Sequence, residues 1–100
     1  MVVKLNDVNY VANRFLAELR DVEVQKDPMR FRRNLERMGE VMAYEMSKTF
    51  DHEEQEVTSP LGVASIALPV DNPVLATILR AGLPLHQGLL NYFDRADNAF

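Results

Sequence analysis

The chain has 100 residues, 11 basic and 15 acidic, for a formal net charge of −4, with 47% hydrophobic residues and neither cysteine nor tryptophan. That size suits one modest domain, able to bury roughly 60–70% of the surface its unfolded form exposes, and the composition excludes disordered, collagen-like and disulfide-stapled classes. Without cysteine there is no thiolate zinc site and no cysteine nucleophile. The mild acidity gives no reason to expect nucleic acid, and no apolar run approaches the ~18–20 residues that span a bilayer. Met1 to Asp7 lacks the basic stretch and apolar core of a signal peptide, so a soluble, cytoplasmic chain with no membrane partner is expected.

Val8, Val11, Ala12, Phe15, Leu16 and Leu19 recur at helical spacing, predicting a one-faced helix over Asn6 to Arg20. A polar connection, Asp21 to Lys26, leads to Asp27-Pro28, where Asp caps free amides and Pro fits the first turn of a second helix reaching Phe50. Phe31, Leu35, Met38, Met42, Met46 and Phe50 form its apolar stripe, widened by Val41 and Tyr44. Gly39 in the middle weakens the helix by up to ~1 kcal/mol and suggests close packing. Asp51 to Glu56 reads as an acidic loop, followed by short strands at Val57-Thr58-Ser59 and Val63 to Ala67 that suit a hairpin. Val74 to Leu79 has one polar side chain in six, the pattern of a strand buried on both faces of a parallel sheet. A last helix is predicted over Leu83 to Phe93, with Leu85, Leu89, Leu90 and Phe93 on one face; Asp94 to Phe100 gives no decision.

The strand, the turn Arg80-Ala81-Gly82 and the helix after it form the junction with the clearest chemical content. Ligands of open parallel sheets bind outside the carboxyl ends of the strands. A helix N-terminus beside a small-residue turn offers amides and a positive dipole end to an anion, and Arg80 adds a planar cation suited to phosphate, the alternative being a surface arginine beside a tight turn. No Gly-rich loop ending in Lys-Ser/Thr and no repeated dinucleotide-type Gly pattern accompanies it. Other polar groups have plain readings. Asp51-His52-Glu53-Glu54 is a solvated stretch more than a metal site. His86 has no second His within helical reach and suits a helix surface or an interface. Arg30, Arg32, Arg33 and Arg37 alternate with Glu36, Glu40 and Glu45 as an ion-paired face, or alternatively as an anion or subunit contact. Met29, Met38, Met42 and Met46 fit core packing.

Ile78-Leu79-Arg80-Ala81-Gly82-Leu83, with Gly88-Leu89-Leu90 downstream, resembles the pyrophosphate loop and following helix of uracil phosphoribosyltransferases. Leu19-Arg20-Asp21, Phe31-Arg32 with Tyr44-Glu45, and Ser59-Pro60-Leu61 are similar to the same family in the same order. Pro84-Leu85-His86-Gln87 and Val22 to Gln25 depart from it. The resemblance implies an α/β fold: helices 1–50 on the sheet or as an arm, then short strands, a core strand, the pyrophosphate loop and a helix over 51–100. It also implies transfer of ribose 5-phosphate from phosphoribosyl pyrophosphate (PRPP) to uracil, giving UMP and pyrophosphate in pyrimidine salvage. Arg80, Ala81 and Gly82 would hold the pyrophosphate of PRPP, magnesium would be bound through PRPP, and the enzyme would be a homo-oligomer. The family's ribose-phosphate loop and uracil-reading segment do not occur among these residues. The chain is therefore expected to be an N-terminal portion, one incomplete domain, inactive alone and prone to self-association. The alternative is a non-catalytic helical dimerisation module derived from that enzyme.

Overall fold

Helix α1 spans Ala12–Arg20 in the computed structural model, which describes Lys4 and residues 10–100. The start predicted at Asn6, with Val8, lies outside the described residues. Ala12 is the residue α1 buries, whereas Val11 stands exposed at its N-cap. Asp21 ends the helix, and its carboxylate accepts the amides of Glu23 and Val24, turning the chain through a short 3-10 turn, Val24–Lys26. Asp27 then caps α2, Pro28–Ser47, accepting the Arg30 amide at 3.1 Å, while Pro28 occupies the first turn as expected.

The buried face of α2 differs from the predicted stripe. It consists of Asn34, Met38, Gly39 and Ala43, while Tyr44 and Met46 are exposed. The reason is the closeness of its neighbour α3, Leu83–Tyr92. At Gly39 an added Cβ would strike the Leu85 carbonyl oxygen and lie 3.0 Å from the Gly88 Cα; at Gly88 it would strike the Glu36 carbonyl oxygen. Two glycines thus set the crossing of α2 on α3, and large side chains are pushed to its flanks. Asn91 reinforces it by donating to Glu36 and Glu40 at 3.1 and 2.8 Å, and Phe50 meets Phe93 with ring centroids 5.5 Å apart.

Between these helices the chain forms an antiparallel hairpin of β1, His52–Ser59, and β2, Gly62–Pro69. The strand therefore begins inside the stretch read as an acidic loop. Charged residues here sit on a strand exposed on both faces, so apolar alternation was no guide to it. Pro60-Leu61 makes the tip; Ser59 Oγ accepts the Leu61 amide and donates to the Gly62 carbonyl. Gly62 has φ +136°, a conformation that favours glycine.

Strand β3 is Val74–Ala76, and it pairs in parallel with β4, Asp97–Ala99. The expectation of a six-residue strand buried on both faces is corrected here: Leu75 is buried, but Val74 is 64% and Ile78 88% exposed. Among the described residues α3 covers one face of the pair, so alternate side chains remain in solvent. The neighbouring strand lies within the undecided tail, reached through α3 as parallel pairing requires. No helix among the described residues is long and apolar enough to cross a membrane.

Candidate functional site

The ladder of β3 ends with the Thr77 amide donating to the Ala99 carbonyl at 3.0 Å. Residues 78–82 then loop out beyond the carboxyl ends of both strands before α3 begins. The loop closes on itself: Gly82 N–H donates to Ile78 C=O at 3.3 Å and Leu83 N–H to Arg80 C=O at 3.1 Å. His86 N–H reaches the Gly82 carbonyl at 3.0 Å, joining the loop to the first turn of the helix. The peptide between Leu79 and Arg80 is cis. Among the described residues the Arg80 and Ala81 amides have no acceptor, and the exposed Arg80 guanidinium has no carboxylate partner.

An open cleft of about 630 Å³ runs from Ala76 and Thr77 along the loop to Ala99 and Phe100. Ile78, Leu79, Ala81 and Gly82 line it, and Arg80 sits between two of these lining residues. Amides without an acceptor and a cation without a carboxylate partner, at the carboxyl ends of parallel strands, are donors of the kind an oxyanion accepts. The three residues singled out in the sequence are thus brought together, in different ways. Arg80 and Ala81 present donors, whereas the Gly82 amide is already engaged. Gly82 contributes by lacking a side chain, since a Cβ would strike the Thr77 hydroxyl and approach the Ile78 carbonyl oxygen at 2.9 Å.

The other candidates are placed elsewhere. His52 opens β1, where its Nδ1–H donates to the Phe50 carbonyl at 2.8 Å, and no group of three histidine or carboxylate side chains suited to a metal occurs among the described residues. Among the described residues magnesium therefore has no such set of ligands. The arginines of α2 are largely engaged: Arg33 pairs with Glu36 at 2.9 Å and Arg30 with Glu18 at 3.5 Å. Arg37 donates to Asn34 at 3.1 Å and lies over the Phe15 ring. Buried Asn34 donates to Glu18 at 2.7 Å, and that hydrogen bond, aided by Arg30, holds the Glu18 carboxyl below its ordinary range against the opposing effect of burial.

His86 is not on a free helix surface, the first of the two placements its sequence suggests. It is 7% exposed, its Nε2–H donates to Asn98 Oδ1 at 2.7 Å, and its ring lies 5.3 Å from that of Phe100. Its position three residues before Leu89 was the available signal, because that spacing puts both on one helix face.

A family model described as uracil phosphoribosyltransferase matches residues 8–99. The chain belongs to the uracil phosphoribosyltransferase family. It is 57% identical over 99 residues to a uracil phosphoribosyltransferase of Porphyromonas gingivalis, covering 99% of this chain and 46% of the relative. A second, from Thermococcus gammatolerans, is 43% identical over 83 residues, 81% of this chain and 36% of the relative. Among solved structures, the AQ2163 protein from Aquifex aeolicus superposes with a TM-score of 0.73 at 26% identity, over 98% of this chain and 46% of that one. The chain therefore spans about half the length of the uracil phosphoribosyltransferases it matches.

Proposed function

We propose that this chain supplies the pyrophosphate-binding loop of an enzyme that transfers ribose 5-phosphate from PRPP to uracil, releasing pyrophosphate and forming UMP. As the bond to the anomeric carbon breaks, negative charge grows on the departing pyrophosphate. Donors already fixed around it stabilise that transition state more than the ground state, because they need not reorganise as charge develops. Arg80 contributes a guanidinium, and the unpaired amides of Arg80 and Ala81 contribute neutral donors beside it. Gly82 allows the tight loop that carries those amides, since a Cβ there would strike the Thr77 hydroxyl. A magnesium ion would arrive on the diphosphate rather than in a protein cage. The ribose-phosphate loop and the uracil-reading segment belong to the other half of the full-length enzyme, and residues 1–100 form the N-terminal part of that catalytic domain.

The observation that carries this reading is the unpaired cation and amide set at the carboxyl ends of β3 and β4. In the full-length protein, Arg80→Ala is expected to lower turnover or PRPP affinity at least tenfold, about 1.4 kcal/mol. Steady-state kinetics with PRPP varied at saturating uracil reads this directly, and unchanged constants would overturn the assignment. The full enzyme is also proposed to be a homo-oligomer. One face of the exposed hairpin carries Val57, Ala64, Ile66 and Leu68, an apolar row among the described residues that a second copy would cover.

A further inference from the structure

Two frameworks hold the loop that follows β3. One is the β3–β4 ladder, whose last bond joins Thr77 N–H to Ala99 C=O at 3.0 Å. The other is the first turn of α3, reached through the Gly82 carbonyl and the His86 amide at 3.0 Å. An anion held by Arg80 and Ala81 needs both frameworks in fixed relation, because the loop leaves one and enters the other within six residues, Thr77 to Gly82.

The His86 side chain joins the two. Asn98 stands opposite Leu75 in the parallel register, and partner residues share a face of the pair. That face is covered by α3, which buries Leu75 and brings His86 Nε2 to Asn98 Oδ1 at 2.7 Å. An amide oxygen only accepts, so Nε2 carries the hydrogen. Phe100, one residue beyond β4, has its ring centroid 5.3 Å from that of the imidazole, tilted by 40°, and also lines the cleft beside the loop. The two contacts flank Ala99, the residue that ends the ladder, with Asn98 on one side and Phe100 on the other.

We propose that His86 is a positioning residue for the pyrophosphate loop: its backbone holds Gly82 while its side chain holds Asn98, locking the start of α3 to the end of β4. It touches no substrate. The inference rests on the proposed role of Arg80 and concerns the same reaction. Loss of the lock lets the Arg80 and Ala81 donors sample more orientations, so pre-organisation falls where the diphosphate binds and not where the base binds.

The test is steady-state kinetics of the full-length protein carrying Asn98→Ala, His86→Ala, His86→Gln or both alanine changes, with Arg80→Ala as control. Asn98 is exposed, so its truncation keeps the experiment informative even if the buried His86→Ala variant fails to fold. The expected result is a PRPP KM raised about three- to tenfold in each single alanine variant, with uracil KM unchanged and the double variant no worse than a single one, as for two members of one contact. His86→Gln, which keeps a terminal N–H donor of similar reach, is expected to restore most of the PRPP affinity. A merely structural role would lower the amount of folded enzyme without splitting the two KM values. An unchanged PRPP KM in Asn98→Ala, or equal rises for both substrates, overturns the positioning role while a damaged Arg80→Ala leaves the loop assignment standing. An undamaged Arg80→Ala overturns both.

Discussion

The hairpin and the helical body follow opposite rules. In β1 and β2 every residue but Leu68 is exposed, and the backbone hydrogen bonds of the two strands are the main thing holding them. In the body, α2 and α3 approach until glycine is needed on both sides, and the polar groups at the crossing are paired. An isolated two-stranded hairpin is marginal in water. Under the proposed function its eight-residue strands are a surface that a second copy would cover, and the body is the platform that would hold the loop at Arg80.

The largest effect on stability is expected from forcing the helices apart. Gly88→Ala would put a methyl group against backbone atoms of Glu36 and Glu40, each 2.9 Å from the new carbon, which no side-chain rotation relieves. A loss of about 1–3 kcal/mol is expected, seen as a fall of several degrees in Tm. An unchanged melting curve would show that the crossing yields easily. A smaller effect concerns α1, which is tied to α2 by the Asn34 amide on Glu18. The Glu18 carboxyl titrates below its ordinary range in the folded state, so its contribution is complete above the unfolded-state value and disappears as pH falls through the lowered folded value. Wild-type protein should thus lose stability on acidification more steeply than Glu18→Gln, in thermal melts taken from neutral pH downward. Parallel curves would remove Glu18 from the account.

The least effect on stability is expected at the hairpin. Ile66→Lys places a charge at a side chain already 44% exposed and should shift unfolding by less than about 0.5 kcal/mol. Its consequence should appear in mass instead, as a smaller species by light scattering. A Tm loss matching that of Gly88→Ala would mean that the hairpin belongs to the body after all.

How far the sequence carried the structure depends on what kind of interaction fixed each element. The Asp27-Pro28 start of α2, the Ser59-to-Gly62 turn and the Arg80-Ala81-Gly82 loop were legible because capping, proline geometry and loop chemistry act over a few neighbouring residues. Residues 52–56 read as a loop because their strand has no buried face and hence no alternation to detect. Val74 to Leu79 read as doubly buried because apolar content reports what a segment tolerates, while burial depends on how many layers cover it. The ordered family segments were a stronger guide than periodicity, since together they sample several parts of one fold.

By itself the sequence determined the helices, the loop that carries Arg80 and the family to which the chain belongs, because each rests on short-range chemistry or on a pattern preserved along the chain. Only the tertiary structure decided that Gly39 meets Gly88, that the Gly82 amide is spent within its own loop while those of Arg80 and Ala81 have no acceptor among the described residues, and that His86 reaches Asn98. Those outcomes depend on distances between segments far apart in the chain. Such distances are fixed when helices and strands pack, and no local spacing encodes them.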